Sequence, residues 1–382
     1  MDVISFFSGA GGMDLGFVLA GHNIVWANDF DKDAANTYEY NIGKLFKHEY
    51  VVGDITNLFD TSKEMINKNL PDGDIIIGGF PCQGFSIANI DRSMKDERNY
   101  LYLELLKAIS IKKPKFFILE NVKGLENMSK GKILKMILDD LEVAGTDRCK
   151  VFPGDGSGYK VSYNVLNAYN YGVPQNRERV IIFGVRKDLE NNFFEKNNLS
   201  SSKFKNKPRK TFLVRETHSQ DSEITDTLKP YEKINNMYNH YINEHNTDYD
   251  YFKQKHPIYK STNLSDAISD LPMLFDKNNE NIANHDGSKA KVKISNRVGN
   301  RETFWNKHSP TIMGRGSGTG GPLIPPHPDK HRRFSVREVA RIQTFPDNFI
   351  FKGSNSSAYR QIGNAVPVLM AYNIAKIFKD EN

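Results

Sequence analysis

"VISFFSGAGGMDLGF" (Val3 to Phe17) passes from an apolar strand pattern through a glycine-rich turn into the start of a helix. Gly9, Gly11 and Gly12 let the main chain come close to a ligand at the carboxyl end of that strand. Turns of this kind also occur in proteins that bind nothing there, so the reading depends on the neighbouring segments. Outward from it, short β runs alternate with helical patterns. They are "IVWAN" (24–28), "DIIIG" (74–78), "FFILE" (116–120) and "VIIFGV" (180–185), with "VVGDIT" ending a further strand. Between them, "MDLGFVLA" and "LYLELLKAI" space their apolar residues as helices packed on a sheet do. The alternation predicts an α/β, Rossmann-like domain with a parallel sheet and crossover helices.

Asp29 closes the second strand in "VWANDFD", and Asp54 stands at the end of the third. Acids at these strand ends suit a ribose hydroxyl and an adenine amino group. Each would serve equally well to cap a following helix. The order F-x-G-x-G-G, in place of G-x-G-x-x-G, offers no cradle for a second phosphate. It favours a nucleoside ligand such as S-adenosylmethionine over a dinucleotide.

The 382 residues allow two domains or one large one. Hydrophobic residues make up 38% and charged residues 26%, the balance of a soluble globular protein. No apolar run reaches membrane-spanning length, and "MDVISFF" carries no mark of a signal peptide. Two cysteines, Cys82 and Cys149, exclude a disulfide framework and fit free thiols in a reducing cytoplasm. The formal net charge of +6 permits an acidic partner such as nucleic acid without demanding one. From about Arg186 to His331 the chain turns polar and rich in Asn and Lys. It includes a basic run, "KFKNKPRK" (203–210), and a loop of glycine and proline, "GRGSGTGGPLIPPHP" (314–328). "RRFSVREVARIQTF" (332–345) and "AVPVLMAYNIAKIF" (365–378) then read as helices, the second with Pro367 near its first turn.

Three segments carry chemistry. In "DIIIGGFPCQGFS", Cys82 follows a buried strand in a turn of glycine and proline, where backbone amides and a cleft favour a thiolate. The plainer reading is a small buried hydrophobe, and Cys149 fits it. "FFILENVKG" ends an apolar strand in Glu120, where desolvation can keep a carboxyl protonated as a general acid. "PQNRERVIIF" sets Gln175, Arg177 and Arg179 at alternate positions, one face of an extended chain and a clamp for an anion or carbonyl.

Together these segments resemble the DNA (cytosine-5) methyltransferase family. "FFSGAGG", "GGFPCQGFS", "ENVKG", "QNRERVIIFGV", "RRFSVREVARIQTFPDNF" and "RQIGNAVP" come in the family's order and span nearly the whole chain. Only the region from about Arg186 to Thr303 has no clear family pattern. The resemblance implies that the Cys82 thiolate adds to carbon 6 of cytosine, so that carbon 5 can take the methyl group of S-adenosylmethionine. Glu120 would donate to ring nitrogen 3. Arg179 would brace Glu120 and the base carbonyl, with Arg177 in support. The target base must leave the stacked duplex, and Gly78, Gly79 and Pro81 would give it room beside the sulfur. A base then removes the carbon 5 proton; the sequence does not identify it. Phe7, Asp29, Asp54 and Asn364 match cofactor contacts, and Ala365 stands where some relatives carry serine. Gln83 and Ser86, in a loop closing over DNA, would face the strand.

The resemblance also implies three parts. These are a catalytic and cofactor-binding domain (1–186), a smaller, irregular target-recognition domain (187–355) and a C-terminal helix returning to the first domain (356–382). Arg297 and Arg315 are candidates for reading bases, while other basic residues hold phosphates. "KFKNKPRK" reads equally as a solvated surface run. The implied partner is double-stranded DNA, met in the cytoplasm by a monomer with no metal and no membrane. A restriction endonuclease would be a counterpart without a stable complex, and the sequence does not say whether one exists. A nicotinamide dehydrogenase would not combine Cys82, Glu120 and the Gln-Arg-Arg face. An amino-group methyltransferase needs an Asp/Asn-Pro-Pro-aromatic turn where "FPCQ" stands. The nearest rival is a transfer-RNA cytosine-5 methyltransferase of the same family, whose Cys-Phe-Thr signature Cys149-Lys150 does not match.

Overall fold

The computed structural model describes residues 1–45, 48–59, 62–81, 101–196, 214–244, 258–272, 282–285, 292, 294–296, 299–314 and 323–381. Its centre is a seven-stranded sheet. The strands are β1 (Asp2–Phe6), β2 (Asn23–Asp29), β3 (Glu49–Val52), β4 (Ile75–Gly78), β5 (Phe116–Val122), β6 (Tyr159–Asn167) and β7 (Glu178–Arg186). Their order is β3-β2-β1-β4-β5-β7-β6. Around them lie α1 (Gly12–Leu19), α2 (Lys32–Tyr38), α3 (Ile55–Phe59), α4 (Lys63–Asn69), α5 (Leu101–Lys112) and α6 (Lys132–Glu142). The later helices are α7 (Glu190–Lys196), α8 (Pro230–Glu244), α9 (Leu264–Ile268), α10 (Val336–Ile342), α11 (Asn355–Asn364) and α12 (Val368–Ala375).

The parallel sheet expected from the β/α alternation holds for β1 to β5. It fails for the last two strands, because β7 runs antiparallel to both β5 and β6. This reversal shapes the site. It brings the amino end of β7 to the edge where β1 to β5 end. The chain passes β1, β2, β3 in one direction and then crosses to β4, so a crevice opens at the carboxyl ends of β1 and β4.

Central strands are apolar on both faces because helices cover both. On one face Ile4, Phe6, Ile76, Phe117 and Leu119 pack with Leu105 and Ile109 of α5 and Ile137 and Leu141 of α6. On the other, Val3, Ile75, Ile77 and Ile118 pack with Leu15 and Phe17 of α1 and with Leu369 and Ala371 of α12. At Gly16 of α1 an added Cβ would lie 2.5 Å from the Ala371 Cβ, so the two helices touch through a missing side chain.

The helix expected over 332–345 is shorter. Ser335 and Glu338 exchange side-chain and backbone hydrogen bonds as a capping box, which fixes the start of α10 at Val336. Thr344, at φ 57, lies beyond its end. The last helix, expected over 365–378, is α12 with Pro367 at its N-cap, followed by a 3-10 turn (Lys376–Glu381). Phe334, Val336, Val339, Phe345 and Phe349 share the core of α1 and α12, so that core extends back across the boundary expected at 355.

Candidate active site

The glycine turn after β1 is held in an unusual shape. Phe7 has φ 53 and Gly9 φ 56, both in the left-handed region. Around Gly9 a Cβ would meet nothing within 4 Å, so open space lies over the turn. Gly11, at φ 88, is the N-cap of α1, and a Cβ there would overlap Ile42 and Tyr38. At Gly12 it would lie 2.5 Å from the Val366 carbonyl oxygen.

Asp29, at the end of β2, uses both carboxylate oxygens to shape this edge. Oδ2 accepts from the Gly9 N–H at 2.8 Å and Oδ1 from the Asp31 N–H at 2.9 Å. Burial raises its pKa above the ordinary aspartate value, against the pull of those hydrogen bonds. Each oxygen keeps a second lone pair for a ligand hydroxyl. Asp54 is exposed two residues past β3 and accepts from the Thr56 N–H and hydroxyl at 3.0 and 2.8 Å, a local cap at the start of α3. Sequence reading passed over Phe30. It is 68% exposed on this rim, and the signal was an aromatic beside a strand-end acid.

Beneath the turn sits Asp14, fully buried in the first turn of α1. Tyr38 donates its hydroxyl to Asp14 Oδ1 at 2.9 Å, while Oδ2 has no hydrogen-bond partner. Burial lifts its pKa to about 6, partly offset by the nearby Ser5 and Tyr38 hydroxyls.

On the other side of the crevice, Glu120 near the end of β5 is 8% exposed. Its Oε1 pairs with Arg179 Nε at 2.7 Å, reached across the antiparallel β5–β7 ladder. Arg179 Nη1 also donates to the Glu178 carbonyl at 2.8 Å. Burial lowers the Arg179 pKa while Glu120 holds it up. The other oxygen, Oε2, faces the exit of β4, where a Cβ on Gly79 would stand 3.1 Å away. Asn121 Nδ2 anchors that exit by donating to the Phe80 carbonyl at 3.0 Å. The described chain runs on to an exposed Pro81. Cys82, Gln83, Ser86, Arg297 and Arg315 lie outside the described residues.

The Gln175-Arg177-Arg179 clamp is not a single clamp. Arg179 alone of the three reaches Glu120. Arg177, 1% exposed, gives Nη1 to the Ile312 carbonyl at 2.7 Å and Nη2 to those of Gly363 and Ala365, each at 2.9 Å. Arg177 therefore ties the approach to β7 to the C-terminal segment, which covers that part of the face, and stands apart from the Glu120–Arg179 pair. Asn364 is exposed at the end of α11, and its neighbours Ala365 and Val366 lie against Gly12. Cys149 is buried, with its sulfur 3.2 Å from Ser110 Oγ. Among the described residues no cluster of three His, Cys, Asp or Glu could hold a metal ion, and no helix is long and apolar enough to cross a membrane.

The family model for C-5 cytosine-specific DNA methylases matches residues 1–380. Type II methyltransferase M.NgoFVII of Neisseria gonorrhoeae is 34% identical, with 99% of this chain and 87% of that protein covered. Type II methyltransferase M.FnuDI of Fusobacterium nucleatum is 33% identical over 100% of this chain and 94% of its own length. Among solved structures, a DNA modification methyltransferase encoded within an E. coli prophage superposes with a TM-score of 0.58 at 25% identity, covering 100% of this chain and 99% of that one. The S. pombe Dnmt2 methyltransferase, at 17% identity and a TM-score of 0.52 over 100% and 99% of the two chains, shares the fold.

Proposed function

The chain belongs to the C-5 cytosine-specific DNA methylase family, and on that basis we propose how its residues carry the reaction. The protein is a DNA (cytosine-5) methyltransferase with the α/β fold of its relatives.

The crevice fits S-adenosylmethionine. Open space lies over Gly9, two strand-end acids keep free lone pairs, and an exposed aromatic ring stands beside them. Phe7, Gly9, Gly11, Gly12, Asp29, Asp54 and Asn364 form the cradle, and Phe30 offers a face to the adenine. When bound, this cofactor supplies an electrophilic methyl group. The protein's own task is to make carbon 5 of cytosine nucleophilic. Cys82 thiolate adds to carbon 6, and the ring electrons move toward carbon 5 and nitrogen 3. Glu120 Oε1 is held by Arg179, so Oε2, facing the turn toward Cys82, is the atom placed to share a proton with nitrogen 3. The negative charge then does not build up on the ring. Loss of the carbon 5 proton to a base expels Cys82 and restores the aromatic system.

The observation that carries this reading is the Glu120–Arg179 pair beside Gly79 at the β4 exit, three residues before Cys82. We read 1–186 and 356–382 as the catalytic body and 187–355 as the target-recognition part, whose last stretch from Phe334 packs into the catalytic core, with Gln83, Ser86, Arg297 and Arg315 on the DNA. The Type II relatives support a sequence-specific methylase acting on double-stranded DNA. We read it as a cytoplasmic monomer, of a restriction-modification system or solitary; any restriction endonuclease would be a counterpart without a stable complex. The test is trapping on duplex DNA carrying 5-fluorocytosine at random cytosine positions, because fluorine blocks the final elimination. A covalent adduct that needs both S-adenosylmethionine and Cys82 is expected, and sequencing the trapped DNA gives the recognised site. An adduct that survives Cys82→Ser would overturn the assignment.

A further inference from the structure

A buried polar hub joins the approach to β7, the root of the glycine-rich loop and the cofactor edge. Gln175 is fully buried; its Oε1 accepts from the Ile312 N–H at 3.0 Å and its Nε2 donates to Gln343 Oε1 at 2.9 Å. Gln343 Nε2 in turn donates to the Ile362 carbonyl at 2.7 Å. Arg177 closes the circuit through the carbonyls of Ile312, Gly363 and Ala365. All of these bonds except the one between the Gln175 and Gln343 side chains end on main chain, so the loop root at 312–314 and the end of α11 are held as one piece.

Beyond the hub the two segments touch directly. A Cβ built on Gly314 would overlap Asn364 Oδ1, and would lie 2.7 Å from Asn364 Cγ and 2.9 Å from the Arg360 carbonyl oxygen. A Cβ on Gly363 would likewise overlap the Gly314 nitrogen and lie 2.5 Å from the Met313 carbonyl carbon. Two glycines back to back let the loop root pass under α11 while Asn364 keeps its place. At 314 the constraint is contact rather than φ, since the collision is with the side chain of a residue on the cofactor edge.

We propose that Gly314 is a positioning residue, through which the root of the recognition loop sets Asn364 for the cofactor. The inference rests on reading Asn364 as a cofactor contact. A contact that lets the loop influence the cofactor must let the cofactor influence the loop equally, since coupling free energies are reciprocal.

Calorimetry with S-adenosylhomocysteine on the full chain, without DNA, tests this in wild type, Gly314→Ala, Asn364→Ala and the double variant. Gly314→Ala is expected to weaken binding by about 5-fold or more, within the usual range of coupled sites. Asn364→Ala weakens it too, and the double variant binds no worse than the weaker single, since both act through one group. Thr311→Ala loses the hydrogen bond to the Asn176 carbonyl on the same segment without touching Asn364, and keeps wild-type affinity. Wild-type affinity in Gly314→Ala, or a double variant as weak as the product of the singles, would overturn the proposal. Wild-type affinity in Asn364→Ala would refute the cofactor reading of that residue and take the proposal with it. Should Gly314→Ala not fold, hydrogen exchange on the wild type decides: the Met313 and Gly314 amides must slow when S-adenosylhomocysteine is added, and unchanged rates sink the coupling.

Discussion

Arg177 and Arg179 stand two residues apart in one extended run, yet they end in opposite surroundings. Arg179 meets a carboxylate at the sheet edge, with about a tenth of each side chain still open to the crevice. Arg177 meets only carbonyl oxygens, in a place with no crevice at all. One arrangement pairs charges where a substrate can reach them. The other uses a guanidinium as a planar peg that satisfies main chain otherwise left without partners. Depth below the edge, rather than residue type or spacing, separates the reacting region from the one that holds it.

The sharpest way to break this comparison is at the edge itself. Glu120→Gln keeps an acceptor for Arg179 but has no acidic proton to transfer, so single-turnover methylation should fall about 10³-fold, roughly 4 kcal/mol of barrier. Its melting temperature should barely move; retained activity would remove Glu120 from the chemistry. At the hub the pattern should invert. Arg177→Met strips the Ile312 and Gly363 carbonyls of their guanidinium partner and leaves the Ala365 carbonyl only the 3.3 Å bond from Gln343, and should cost about 3 kcal/mol or more in urea unfolding. Arg179→Lys should cost only about 1 kcal/mol of stability while slowing methyl transfer about 10- to 100-fold. If both variants lose stability and activity alike, the two arginines belong to one region after all.

Asp14 gives a subtler contrast, a buried acid under the cofactor turn with an oxygen left unpaired. Its folded pKa of about 6 lies above the ordinary value of 3.8, so its ionised form weakens the fold. Its stability contribution is whole below pH 3.8 and is lost as pH rises through 6. Asp14→Asn should therefore be more stable than wild type at pH 7.5 by about 1–3 kcal/mol. The gap should close as pH falls toward 4, as thermal melts across that range would show; a pH-independent gap would point to packing alone. The smallest effect is expected at Arg360, which pairs with Asp31 at 2.8 Å from a partly exposed position. Arg360→Gln should cost less than about 1 kcal/mol, a difference that raised salt should erase.

The sequence made the cofactor half legible because its signals are local. A strand, a glycine turn and a strand-end acid occupy about thirty consecutive residues, and Gly9 and Asp29 meet as that pattern implies. Asp54 does the plainer job of capping toward Thr56, one of the two roles its place in the sequence suits. β6 escaped notice because it is an edge strand. Lys160 and Asn164 interrupt its apolar residues where only one neighbour covers it. The antiparallel turn of β7 was invisible for a different reason, since a strand's direction depends on the partner it finds. Arg177's role could not be read from residue types, because its partners are carbonyls at positions 312, 363 and 365, and every residue has one. Spacing correctly put Gln175, Arg177 and Arg179 in one run, but not which of them the C-terminal segment would cover.

The seam between α1 and α12, closed by Gly16 against Ala371, joins residues some 355 positions apart. Contacts of that sequence separation form late, because the long loop between them must close first. During synthesis the face of α1 that Ala371 will cover stays bare until residue 371 has been made, and a methylase released before that point has an open core. The same seam is a natural place to divide the enzyme as a test. A fragment ending before residue 355 and a second carrying α11 and α12 share an extensive apolar surface. Activity regained on mixing them would turn the timing of folding into a control over when DNA is methylated.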